Sequence, residues 1–175
     1  MTFIEKLMLL VKEATEQRTI SKAELLLREG EVEKNLYYIE KGAVRIFLLT
    51  EHEEHTIRLG YEGSFINSLS SFIKGTPSEF YIEAIRKTTV TVIPKEQLLK
   101  IVYQDEESLK QYCFFMEMVI TQLVEREIDL LTVSPTERLK RVLERSPNVF
   151  QEVPLKYIAS YLRMTPETLS RLRNP

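Results

Sequence analysis

The chain has 175 residues, with 24 Lys/Arg against 26 Asp/Glu, a formal net charge of −2 and 43% hydrophobic residues. That length suits one large domain or a medium domain with a small one, and the balance of charged and apolar residues excludes wholesale disorder. No apolar run is long enough for a signal peptide or membrane span, and the lone Cys113 excludes an intrachain disulfide or a cysteine-ligated cluster. A soluble, cytoplasmic protein without a membrane partner is therefore expected.

The charge is uneven. Residues 134–175 hold eight basic residues (Arg138, Lys140, Arg141, Arg145, Lys156, Arg163, Arg171, Arg173) and four acidic ones (Glu137, Glu144, Glu152, Glu167), while the rest of the chain is acidic. A basic tail piece on an acidic body fits a nucleic-acid-binding module attached to a sensor or scaffold.

In chain order, residues 1–17 read as an amphipathic helix with Phe3, Leu7, Leu10 and Ala14 on one face. Residues 24–94 then break into about seven short strands, rich in β-branched and aromatic residues and stopped at Pro94. Gly30, Gly42, Gly60 and Gly63 punctuate them, where turns call for positive φ. So many short strands predict an antiparallel sandwich, roll or small barrel. A short amphipathic helix follows over residues 95–103.

A long helix is expected from about residue 105 to 131. In it Leu109, Tyr112 or Cys113, Met116, Val119 or Ile120, Leu123, Glu127 and Leu130 recur at three- and four-residue steps. Such a stripe is either a core-facing edge or the seam of a two-stranded coiled coil. Packing on its own domain accounts for the N-terminal half. The C-terminal half has no evident intrachain partner, which predicts a homodimer through Leu109, Met116, Ile120, Leu123 and Leu130. Ser134 and Glu137 then spell a capping box with Pro135 at the first helical position, so a new helix runs to about Arg145 after a hinge near 132–134. The expected organisation is α+β: an N-terminal antiparallel β-roll of the cupin-like jelly-roll type over 1–104, a dimerisation helix and hinge over 105–133, and an all-α domain over 134–175.

The strongest local signal lies in residues 155–174, LKYIASYLRMTPETLSRLRN. A helix-turn-helix needs two short helices packed at a steep angle. Ile158, Leu162, Met164, Leu169 and Leu172 supply apolar contacts, Ala159 lets the helices approach, Thr165 suits an N-cap, and Pro166 suits the first position of the second helix. Glu167, Ser170, Arg171 and Asn174 then face outward, residue types that read base edges or phosphates. Lys156, Arg163 and Arg173 are candidate phosphate contacts. The turn position, usually Gly, is Arg163, where a left-handed residue costs about 1–2 kcal/mol.

Together these segments resemble the Crp/Fnr family of transcription regulators. Residues 21–49, SKAELLLREGEVEKNLYYIEKGAVRIFLL, resemble its opening strands, and Gly63-Ser64-Phe65-Ile66 the start of its ligand cassette. The resemblance implies a cyclic-nucleotide-binding-like roll, a dimer helix and a bacterial homodimer on a near-palindromic operator, with RNA polymerase as a further partner. It implies base contacts by Glu167 and Arg171, and departs from the family at Pro166, where members carry Arg. The connection between residues 145 and 154 is too short for the family's β-hairpin wing, so a compact variant is expected.

Members that bind cyclic AMP carry a Glu for the ribose and an Arg-Ser pair for the phosphate. The resemblance assigns Ser68 to the first position and Ser78-Glu79 to the pair, so the phosphate's cationic partner is missing. Neither cyclic AMP nor cyclic GMP is expected as a cofactor. Asn67, Ser68, Ser70, Ser71, Ser78 and Glu79 are either a polar pocket for another small-molecule effector or ordinary loop residues. His52 and His55 lack a third histidine and, three apart on a strand, point to opposite faces, so no metal site is expected. Without a catalytic constellation or an iron–sulfur cluster, the competing readings are a sequence-specific DNA-binding regulator and a ligand-binding or protein-interaction module with a degenerate helix-turn-helix. A small cupin-like enzyme is disfavoured.

Overall fold

The computed structural model describes residues 1–173; Asn174, one of the expected DNA contacts, lies outside them. The chain opens with helix α1 (Phe3–Glu13), started by a full capping box in which Thr2 and Glu5 each accept the other's backbone N–H. Phe3, Leu7 and Val11 form its buried face, and Leu10 packs alongside.

Eight strands follow: β1 (Gln17–Ile20), β2 (Leu25–Leu27), β3 (Asn35–Lys41), β4 (Ala43–Leu49), β5 (Glu54–Tyr61), β6 (Phe65–Ile66), β7 (Tyr81–Ala84) and β8 (Thr88–Pro94). They form two four-stranded sheets, ordered β1-β8-β3-β6 and β2-β7-β4-β5, in which every strand pairing is antiparallel. Side chains of alternating strand positions meet between the sheets, with Tyr37, Ile39, Val44, Ile46, Ile82 and Val90 at the centre. The expected antiparallel roll is thus the fold observed. Strand β1 lies ahead of residue 24, where the periodicity gave no strand: Gln17, Arg18 and Thr19 are exposed, so only Ile20 carries a burial signal.

Two glycines differ in kind. Gly42 joins β3 to β4 at φ +106, and an added Cβ would lie 2.5 Å from Thr88 Oγ1 and 2.7 Å from the Lys87 carbonyl. It is a turn that admits no side chain. Gly60, expected at a turn, instead sits inside β5 without positive φ; its hydrogen makes room for Ile66 and Ile39, whose Cδ1 atoms would stand 2.8 and 3.0 Å from a Cβ.

Helix α2 (Leu69–Lys74) lies between β6 and β7, and α3 (Lys95–Val102) follows Pro94 as expected. The long helix α4 spans Glu106–Leu131, its N-terminus capped by Asp105, whose carboxylate accepts from the Ser108 N–H at 2.6 Å. Then come α5 (Pro135–Arg145), with Ser134 capping the Glu137 N–H, the single turn α6 (Val149–Glu152), α7 (Leu155–Tyr161) and α8 (Pro166–Arg173). No helix among the described residues is long and apolar enough to cross a membrane.

The C-terminal helices do not stand off from the roll. Ile158, Leu162, Leu169 and Val142 share one core with Ala43 and Ile85 of the roll, and Leu59 and Tyr61 of β5 pack against it. The contact solves an edge problem, because β5 ends its sheet. The Thr56 N–H on that edge donates to Ser160 Oγ at 3.1 Å, and the Ser160 hydroxyl reaches the Glu54 carbonyl at 3.4 Å. One side chain of α7 therefore satisfies two backbone groups of an edge strand.

The C-terminal half of α4 has an intrachain partner after all. Fully buried Asp129 accepts from Arg141 Nε at 2.8 Å and from Arg145, and Glu125 accepts from Arg141 at 2.5 Å, so α5 is stapled across α4. The sequence stripe followed a three- and four-residue period that passes by Glu125 and Asp129, and so was blind to this ionic lock. Elsewhere around its surface α4 keeps exposed apolar residues, among them Leu109, Phe114, Met118, Ile120, Leu123, Val124, Ile128, Leu130 and Leu131. Met116, assigned to the same stripe, is half-buried and turns toward the roll, lining a small cavity with Phe65 and Asn67.

Candidate functional site

The outward surface of α7 and α8 is built from its turn. Arg163 occupies the left-handed region at φ +54, the conformation expected of a residue standing where Gly is usual. Its cost is offset by a side chain that the sequence showed only as part of the tail's basic excess. Arg138 of α5 donates through Nη1 to the carbonyls of Leu162 (2.6 Å) and Arg163 (3.2 Å), and through Nε and Nη2 to that of Thr132 (3.1 and 2.7 Å). One guanidinium thereby ties the hinge to the helix-turn-helix turn and satisfies carbonyls at the end of α7.

Thr165 Oγ1 then accepts from the Thr168 N–H at 3.2 Å and opens α8, with Pro166 at its first position. Leu169 is fully buried beneath, and Leu172 and Met164 pack against the same core. This inward anchoring leaves Pro166, Glu167, Ser170 and Arg171 exposed. Lys156 and Arg173 are exposed too, resting against the rings of Tyr157 (4.5 Å) and Phe150 (5.0 Å). Arg163 is turned the other way: its guanidinium meets His55 of β5. His52 is at the open hairpin tip, so the two histidines are apart in role as well as in direction.

The basic excess of the tail is therefore divided. Arg138, Arg141 and Arg145 hold carbonyls or carboxylates inside the fold, and Arg163 meets the roll; Lys156, Arg171 and Arg173 are left for an external anion.

The cassette residues divide too. Ser68, Ser71 and Ser78 are buried, whereas Ser70 and Glu79 are exposed and Asn67 is half-buried. The three buried serines close a network around a carboxylate the sequence reading missed. Glu33, only 2% exposed, accepts from the Asn35 N–H at 3.0 Å and lies 3.5 Å from the Ser68 N–H. Ser71 Oγ accepts from the Glu33 N–H and donates to the Thr76 carbonyl, and the Ser68 and Ser78 hydroxyls bond each other at 2.8 Å. Burial pushes the Glu33 carboxyl above its ordinary range and lifts the nearby Tyr37 hydroxyl to about 12. Every one of these serines has its partners within the chain. The cavity beside them, between α1, α4 and the cassette, is about 90 Å³ and almost wholly apolar. It is well below the roughly 300–1,000 Å³ of common ligand sites.

The family model for the cyclic nucleotide-binding domain matches residues 17–105, just over half of the chain. The chain belongs to that family. Most of its length matches solved structures as well. FixK2 from Bradyrhizobium japonicum aligns with a TM-score of 0.77 at 20% identity, over 90% of this chain and 82% of that one. A CooA variant from Carboxydothermus hydrogenoformans aligns at 0.70 and 18% identity, over 99% and 83%. A CRP-family transcriptional regulator from Thermus thermophilus aligns at 0.63 and 20% identity, over 89% and 82%. A search of the curated proteins finds no match. At these identities the structural likeness is one of fold, and the fold is the one that the resemblance to Crp/Fnr regulators implies.

Proposed function

We infer that the chain is a homodimeric, sequence-specific DNA-binding transcription regulator of the Crp/Fnr type, acting on a near-palindromic operator together with RNA polymerase and without catalytic activity. The observation that carries this reading is the outward face of α8. Glu167, Ser170 and Arg171 are solvent-facing on a helix whose opposite side is locked by Leu169, and among the described residues none of the three has a hydrogen-bonding or ionic partner. A rigid helix offering unspent polar side chains is what major-groove reading requires. Exposed Leu109, Ile120, Leu123, Val124 and Leu131, whose spacing puts them on one side of α4, support pairing with a second copy.

Arg171 is assigned to a guanine and Glu167 to a cytosine amino group, with Lys156, Arg173 and, once freed from His55, Arg163 on phosphates. Cyclic AMP and cyclic GMP are not the effectors. The buried Ser68 and Ser78 at the nucleotide-gripping positions bond each other, the Ser68 N–H faces Glu33, and among the described residues no arginine or lysine side chain bonds either serine.

Selection of bound DNA from a random pool, repeated with Arg171→Ala, tests the reading. A symmetric site should emerge, and the variant should lose discrimination at one base pair per half-site, worth roughly 1–3 kcal/mol. If the wild type selects nothing, the helix-turn-helix serves a protein-interaction module instead.

A further inference from the structure

The roll, α4 and the C-terminal helices meet around a cleft of about 390 Å³. Arg58 of β5 and Arg126 of α4 line it, with Gln122, Tyr61 and Tyr161 among the other walls. Among the described residues neither arginine forms an ion pair, although the Asp129 carboxylate, shared by Arg141 and Arg145, also acts on Arg126 through space. Arg58 is half-buried and has no hydrogen-bonding or ionic partner among the described residues. Arg126 lies flat on the Tyr161 ring at 3.7 Å and donates Nη2 to the Tyr161 carbonyl, but its Nη1 is buried with no acceptor. Burial lowers the pKa of both guanidinium groups, the mark of cations short of compensation. A third arginine at the rim, Arg145, is by contrast neutralised by Asp129 and Glu125.

We propose that this junction cleft binds a small organic oxyanion, a carboxylate or phosphate ester on an apolar ring-bearing body, with Arg58 and Arg126 gripping the charge. Both guanidinium-bearing side chains line this one space, although Arg58 also borders the small apolar cavity, and a guanidinium fork suits a flat or tetrahedral oxyanion. Ile57, Leu59, Val142 and Val149 give the cleft an apolar wall that suits the body of the ligand, beside the polar Gln122 and Ser146. A buried cation without a counter-charge is costly, and an anion seated here offsets that cost. The site lies outside the cassette serines.

The cleft also has three owners. Arg58 belongs to the roll, Arg126 to the long helix, and Tyr161 to the helix-turn-helix. An occupant that touches all three favours this docked arrangement over any other and so couples ligand to DNA affinity. That regulatory consequence, though not the binding itself, rests on the function inferred above.

The test is thermal melting and calorimetry on the full chain without DNA, using phenyl phosphate, benzoate, inorganic phosphate, cyclic AMP and uncharged benzyl alcohol. At least one of the two organic anions should raise Tm saturably, while benzyl alcohol and cyclic AMP do not; which of phenyl phosphate and benzoate binds more tightly names the oxyanion. Arg58→Gln should weaken that binding at least about tenfold, and Arg126→Gln likewise. Arg28→Gln, on the exposed roll surface, should leave it unchanged. Without ligand, Arg58→Gln should melt no lower than the wild type, because it removes an uncompensated charge. The proposal is overturned if neither organic anion shifts Tm up to roughly 10 mM, or if Arg58→Gln binds as tightly as the wild type. DNA selection is scored separately, so anion binding without DNA binding would remove only the regulatory role.

Discussion

The two polar regions of this molecule handle buried charge in opposite ways. Around Glu33 in the roll, the backbone N–H groups of Asn35 and Ser68 face the carboxylate, and the neighbouring serine hydroxyls bond the Glu33 N–H, each other and nearby carbonyls, so the network is closed. At the junction, Asp129 and Glu125 neutralise Arg141 and Arg145, and Arg138 spends its donors on three carbonyls, but Arg58 and Arg126 are left over. A closed network stabilises and has nothing to offer a ligand; an open one carries unspent donors. The difference separates structural serines that look like a ligand site in sequence from arginines that look like surface charge and are not.

Mutations can break this contrast from either side. The largest effect is expected at the junction's closed part: Asp129→Ala leaves Arg141 and Arg145 only the half-exposed Glu125 and should cost about 3 kcal/mol in a urea titration, near the low end for breaking a buried pair because Glu125 remains and both arginines reach solvent. A loss well under that would mean that Glu125 and apolar contacts hold α5 to α4 without Asp129. Arg138→Met should cost roughly 1.5–3 kcal/mol, the range for hydrogen bonds to a charged group, and should loosen the turn at Arg163. Amide exchange at Met164, whose N–H is bonded to the Ala159 carbonyl, reports that loosening; unchanged protection there would show that the apolar core holds the turn unaided.

The smallest effect is a slope at the roll. A carboxyl whose folded pKa is raised binds its proton more tightly in the folded state. Its contribution is most favourable below the ordinary glutamate range and is lost as pH rises through the raised value. Wild-type stability should therefore decline across that window, and Glu33→Gln should flatten the decline. An identical slope in the variant would place the titration elsewhere.

How much of this was legible depended on the range of the interaction. The helices over 3–13, 95–102, 106–131 and 135–145 follow from periodicity and from caps such as Ser134, which act within a few residues. The turn at Arg163 and the anchoring of α8 by Leu169 were readable for the same reason. Strand β1 was not, because three of its four residues are exposed and its existence rests on pairing with β8, some seventy residues away.

The sequence by itself determined the antiparallel roll, the long helix and the helix-turn-helix, since hydrophobic period, turn glycines and caps are local and survive without knowledge of neighbours. It also determined which residues α8 presents, once Leu169 and Leu172 were taken as its inner side. Only the tertiary structure decided what each charge is for. Arg138, Arg141 and Arg145 serve the interior, Ser160 caps the edge of β5 and Glu33 gathers the cassette serines. Arg58 and Arg126, from segments far apart in the chain, face one cleft. A charged side chain is long and its partner is chosen by proximity in space, so identical residues in sequence become a clamp, a lock or a free donor according to what the fold brings beside them.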